Sequence, residues 1–77
     1  MIDKEIVKPF LDKFVGIVYR DIGKPMFSKG VIIKISDNGL ILRYKGSNMI
    51  ISFDSIYKIR EMIDRYADIS EAKRFGN

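Results

Sequence analysis

The sequence predicts a mainly β domain: a small, five-stranded, strongly bent antiparallel barrel with a short N-terminal helix and a C-terminal helical tail. The first observation is the stretch 27–59, where three apolar strand-like runs are separated by two tight-turn signals. The second is Gly30 inside the longest run, because an isolated glycine in a strand marks a bulge or a bend. The third is the length of 77 residues, which predicts a single domain over 1–77.

The N-terminal segment predicts a short helix over residues 8–15. Apolar residues recur at helical spacing from Ile2 to Phe14. Pro9 removes a backbone donor and is tolerated only in the first turn of a helix. We therefore expect the helix to begin at Pro9 or next to it, with an extended segment before it.

The barrel is predicted over residues 16–61, with turns where Gly, Pro, Asn and Asp cluster. Asn38-Gly39 is expected to turn with positive φ, and Gly46 opens the next turn. The predicted strands are 16–21, 26–36, 40–45, 49–54 and 56–61.

The last strand has an alternative, because Ile56, Ile59 and Ile63 also recur at helical spacing. A helix beginning at Asp54, a suitable N-cap, would continue to the end of the chain. We favour a fifth strand followed by a helix over 62–75. A four-stranded sheet would leave a long apolar edge unpaired.

Composition excludes several kinds of chemistry. The chain has no Cys and no His, so disulfides, Cys/His zinc sites and Ser–His or Cys nucleophiles are excluded. Asp21, Asp37 and Asp54 lie on separate turns, which predicts neither an acid–base pair nor a metal site. We expect a non-enzyme without cofactor. Because so small a domain buries little surface, oligomerisation is the remaining source of stability.

Charge is concentrated in the body of the chain. Residues 13–60 hold nine Lys and Arg against three Asp, whereas both flanks are nearly neutral. Such a basic body is compatible with a polyanion partner, although a solvated surface is the commoner explanation of a modest basic excess. No apolar run has the roughly 20 residues of a membrane helix, and the N-terminus lacks a signal-peptide pattern. We therefore expect a cytoplasmic protein without a membrane partner.

Two motifs carry a family resemblance: the stretch from Gly30 to Leu42, and Ile51 together with the segment 56–59. They resemble the Sm-like family, which includes Sm, LSm and Hfq proteins. The stretch from Gly30 to Leu42 is similar to the family's first motif: Gly, hydrophobic residues, an Asp/Asn-bearing loop, then leucines. Ile51 and the segment 56–59 are similar to the apolar skeleton of its second motif. The pocket is degenerate, because Ser52-Phe53 stands where the family has Arg-Gly. The base-stacking aromatic of Sm proteins and the Lys-His pair of Hfq are missing too.

The resemblance implies a strongly bent barrel that assembles into homo-oligomeric rings of six or seven subunits. In such rings the fourth strand of one subunit pairs with the fifth strand of the next. The expected interface residues are Met49, Ile50, Ile51, Ile56, Tyr57 and Ile59.

The resemblance further implies binding of single-stranded, usually U-rich RNA. Asp37 and Asn38 match the family's loop by position, and Phe53 would supply a stacking ring. Arg43, Lys45, Lys58 and Arg60 would contact phosphates. Each has a plainer structural alternative: a hairpin turn for Asp37 and Asn38, the core for Phe53, and a solvated face for the cations.

A second resemblance competes with the first. The segment 51–59 is also similar to the closing segment of PRC-barrel domains, which bind other proteins. It implies an interaction or assembly module that does not bind RNA. It covers fewer residues and leaves the N-terminal helix unexplained.

Overall fold

The computed structural model describes residues 2–63. It confirms a mainly β chain with five antiparallel strands in one sheet and one short α-helix. Short 3₁₀ turns follow the helix at Lys8–Phe10 and precede the last strand at Phe53–Ser55. The elements are α1 (Lys4–Val7), β1 (Phe14–Asp21), β2 (Lys24–Ile35), β3 (Gly39–Tyr44), β4 (Ser47–Ser52) and β5 (Ile56–Glu61).

The strand order in the sheet is β4-β3-β2-β1-β5. Within residues 2–63, β4 and β5 are therefore the two edges, and they do not pair with each other, so the sheet is open. The expectation of a barrel closed within the chain is wrong. β5 is nonetheless a strand, as predicted, which excludes the alternative of a helix through residues 56–61. Both edge strands are six residues long, and no further strand among the described residues pairs with them.

The helix lies earlier than predicted. Asp3 caps α1, because its side chain accepts a hydrogen bond from the backbone N–H of Ile6 at 3.0 Å. Pro9 then lies in the 3₁₀ turn, where its missing N–H costs no α-helical hydrogen bond. The predicted helix over 8–15 is therefore wrong, and β1 already begins at Phe14.

One apolar cluster forms the core between α1 and the sheet. It collects residues from α1, from every strand and from the turn before β5. Ile17 and Ile32 are fully buried. The buried members are Val7, Val15, Ile17, Ile32, Leu40, Leu42, Ile51, Phe53 and Ile56.

Two glycines allow the strands to approach closely. Gly30 has φ +156°, and a Cβ there would meet the carbonyl group of Arg43. β2 changes partner at this point, since residues 24–31 pair with β1 and 31–35 pair with β3. Gly39 does not serve the positive φ expected of Asn38-Gly39. A Cβ at Gly39 would instead lie 2.6 Å from the carbonyl oxygen of Ile51 on β4.

The chain continues past β5 along β1. The backbone N–H of Met62 donates to the carbonyl oxygen of Phe14 at 2.9 Å. Met62 and Ile63 are neither helix nor strand. The rest of the helix predicted over 62–75 lies outside the described residues.

Candidate nucleic-acid interface

The loop between β2 and β3 does not present Asp37 as a free ligand. The Lys4 ammonium donates a hydrogen bond to Asp37 at 2.7 Å, tying the loop to α1. This hydrogen bond, together with the attraction between the charges, holds the pKa of Asp37 below its ordinary value and raises the pKa of Lys4. Asn38 is used through its backbone, because its carbonyl oxygen accepts from the N–H of Phe53 at 2.9 Å. The loop is thus engaged in holding the fold.

Phe53 lies in the core rather than on the surface, with 5% of its area exposed. The reason is local: the Ser52 hydroxyl accepts from the N–H of Asp54 and starts a 3₁₀ turn that includes Phe53. The ring is therefore inaccessible for stacking on a base. Phe53 is therefore a core residue, which is the structural alternative to a stacking role.

The strand register brings exposed cations from three strands to one face of the sheet. Arg60 on β5 and Lys29 on β2 are both paired with Gly16 of β1. Directly paired residues project to the same side of a sheet, and alternate residues of one strand share a face. Lys58, two residues before Arg60, therefore lies on this face as well, and Arg43 joins it through its pairing with Val31. We call Lys29, Arg43, Lys58 and Arg60 the basic face.

An aromatic ring lies among these cations. Phe27 of β2 is paired with Val18, which is paired in turn with Lys58. A Cβ on Gly16 would meet the Phe27 ring at 2.9 Å, so the ring extends over the glycine that separates Lys29 from Arg60. Phe27 is 55% exposed. An exposed ring flanked by cations is the combination that binds single-stranded nucleic acid through stacking and phosphate contacts.

The basic face is electrostatically uncompensated within residues 2–63. The three salt bridges there join Lys4, Lys8 and Lys13 to carboxylates, and they include none of the four cations of the basic face. No Asp or Glu occupies a paired strand position on this face. Positive charges that share a face without nearby carboxylates attract a polyanion.

Lys45 lies apart, at the tip of the β3–β4 hairpin. Its φ is +50°, and its ammonium group is 5.4 Å from the centroid of the Tyr44 ring. Lys29 approaches the same ring at 5.4 Å. The two lysines flank a groove of about 530 Å³ between the first half of β2 and this hairpin. Lys45 therefore belongs to the groove rather than to the basic face.

The predicted interface residues divide into two groups. Ile51 and Ile56 are buried in the chain's own core, and Ile59 packs against it. Ile50 on β4 is 80% exposed, Tyr57 on β5 is 58% exposed, and Met49 is partly exposed. Both edges thus carry large apolar side chains in contact with solvent.

The sequence reasoning missed Phe27 and Lys29. Both lie on β2 before Gly30, in a part of the strand that pairs with β1 alone. The alternation of β2 shows that the two residues share a face, but only the register with β5 shows that this face also holds Lys58 and Arg60. One feature of the sequence points to Phe27 and Lys29. The predicted second strand, 26–36, contains both residues and is longer than the strands next to it.

Comparisons with known protein families, curated proteins and solved structures found no match to this chain. Within residues 2–63, no cluster of three or more acidic side chains is placed to hold a metal ion. In the same part of the chain, no helix is long and apolar enough to cross a membrane.

Proposed function

We propose that this chain is a non-catalytic, Sm-like RNA-binding protein that assembles as a homo-oligomeric ring. The observation that carries the RNA-binding part is the basic face: four exposed cations from three strands around the exposed ring of Phe27. The strand order β4-β3-β2-β1-β5, with unpaired edges, supports the ring.

RNA binds on the basic face rather than in the β2–β3 loop. Asp37 of that loop is held by Lys4, and Phe53 of the turn before β5 is buried, so the two offer neither a free carboxylate nor an accessible ring. On the basic face a base stacks on Phe27 while Lys29, Lys58 and Arg60 contact phosphates. Stacking on an aromatic ring tolerates any base, so the RNA sequence preference is weak. Single-stranded U-rich RNA, the ligand implied by the family resemblance, is the ligand to test first.

The ring forms when β4 of one subunit pairs with β5 of the next. Both edges are six residues long. They lie at opposite ends of the sheet, so the contact is head-to-tail, which generates a closed ring when the rotation between subunits closes. Pairing covers Ile50 and Tyr57 and completes the sheet between subunits. Each subunit adds another basic face, so weak contacts to one RNA strand combine as avidity.

Fluorescence anisotropy with a labelled oligo-U tests the RNA site. We expect Lys58→Gln with Arg60→Gln to weaken binding. Because each phosphate contact contributes about 0.7 to the slope of log K against log salt, this pair also lowers the slope by about 1.4. Lys24→Gln, at the β1–β2 hairpin and outside the basic face, is the matched control. Unchanged affinity and slope in the double variant, with the oligomer intact, would refute the site.

A second function is carried by a different observation. Asp37 and Phe53, two of the candidate RNA-binding residues, serve the fold instead. Such a fold serves equally as a protein-interaction or assembly module, as the PRC-barrel resemblance implies. Salt separates the two: RNA binding through phosphates weakens steeply with salt, whereas an apolar protein interface barely responds.

A further inference from the structure

The β1–β2 hairpin projects beyond its neighbours as a finger formed by residues 20–26. The pairing of β1 with β5 ends at Tyr19, and the pairing of β2 with β3 begins at Val31. Within residues 2–63 the finger is therefore held only by its own two strands. It is an extension of the sheet that the core does not require.

Ile22 at the tip is both strained and exposed. Its φ is +49° and 94% of its area is exposed. Left-handed backbone is rarely adopted by β-branched residues, and Asn or Gly would form the same turn without strain. Ile22 is almost free of contact with the other described residues, and backbone strain at such a position points to a functional contact.

The groove beside the β3–β4 hairpin has the complementary chemistry. Its apolar lining comes from Phe27, Leu42, Tyr44 and Met49. Lys29 and Lys45 hold their ammonium groups over the Tyr44 ring, and neither forms a salt bridge with another residue of the described chain. The groove thus accepts an apolar side chain with a carboxylate beside it.

The finger offers that combination, because Asp21 precedes Ile22 and is exposed. The groove of the same chain is out of reach. Residues 24–29 form one extended strand, and a rise of about 3.3 Å per residue separates the tip from Lys29 by about 16 Å or more. The finger therefore reaches such a groove only on another molecule.

We propose that the finger of one copy inserts Ile22 into the groove of a second copy, with Asp21 facing Lys45. The contact is distinct from the β4–β5 pairing of the ring, since it uses neither edge strand's outer hydrogen-bonding groups. It shares Phe27 and Lys29 with the proposed RNA site. A finger in a groove is a small interface, so the association is weak and depends on protein concentration.

Because the chain contains no Cys, disulfide trapping tests this contact without background. Lys24→Cys on the finger leaves Ile22 in place, and Ser47→Cys marks the groove. The two variants are mixed under mild oxidation and the rate of cross-linking is measured. The control pairs Lys24→Cys with Asn38→Cys, an exposed position in the β2–β3 loop.

We expect the finger–groove pair to cross-link about tenfold faster than the control pair, because docking raises the effective concentration of the two thiols. Adding Ile22→Asn to the finger variant reduces the rate to the control value. Lys45→Glu in the groove variant slows cross-linking, and Asp21→Lys in the finger variant restores it. Equal rates for the two pairs, or a rate insensitive to Ile22→Asn, would overturn the proposal.

Discussion

Replacing Ile22 with Asn is expected to stabilise the protein, although it removes a large apolar side chain. The left-handed conformation costs an ordinary residue about 1–2 kcal/mol, whereas Asn adopts it readily next to Gly. Ile22 is 94% exposed, so almost no burial is lost in the monomer. A gain of about 1 kcal/mol raises the Tm of a domain this size by about 4–8 °C.

The assay is thermal unfolding followed by circular dichroism at low protein concentration, which disfavours the weak finger–groove contact. Ile22→Ala is the matched control, because it removes the side chain but keeps an L-residue with a Cβ in the strained conformation. We expect its Tm to stay close to that of the parent protein. An unchanged or lowered Tm for Ile22→Asn would refute the assignment of strain to this turn.

Four further predictions concern the core, the basic face, the sheet and the ion pair between Lys4 and Asp37. Phe53→Ala should lower the free energy of unfolding by about 3–5 kcal/mol in urea titrations. Phe27→Ala should leave that free energy nearly unchanged and weaken oligo-U binding by about 1–3 kcal/mol. The opposite pattern would mean that Phe27 is the core residue and Phe53 the stacking ring. Gly30→Ala should cost about 1–3 kcal/mol from backbone strain alone, and more from the contact with the Arg43 carbonyl; a stability equal to the parent's would contradict it. Since the pKa of Asp37 is lowered in the fold, its pairing with Lys4 stabilises fully above the ordinary value of 3.8 and is lost as the pH falls through the lowered value. Asp37→Asn should therefore reduce the loss of Tm on acidification, and an unchanged pH profile would contradict the ion pair.

Much of the sheet was predictable from local pattern. Alternating apolar residues between turns identified the strands that became β2, β3 and β4, and Gly46 lies in the turn as expected, with φ +81°. The helix was misplaced because a proline and a capping residue compete within a few positions, and the Asp3 cap prevails. The sequence places Gly39 in a turn. In the structure a glycine is needed there because β4 approaches it closely, and local sequence does not reveal that partner.

The site was less predictable, for a physical reason. Lys58 and Arg60 were identified from charge, but their position beside Lys29 and Phe27 depends on how β5 and β2 register on β1. Register is set by which faces the core buries, and a slip by one residue moves every side chain to the other face. For Phe53 the obstacle is local and not a matter of register. The alternation of apolar residues does not reveal the 3₁₀ turn that holds its ring in the core.

The most direct measurement is the absolute mass in solution by light scattering, with and without a short oligo-U RNA. The proposed function predicts a discrete assembly of six or seven chains whose mass increases by bound RNA, with the increase lost at high salt. An assembly whose mass is unaffected by RNA at low salt would contradict RNA binding and favour the protein-interaction function. A strictly monomeric protein, with or without RNA, would contradict the ring itself.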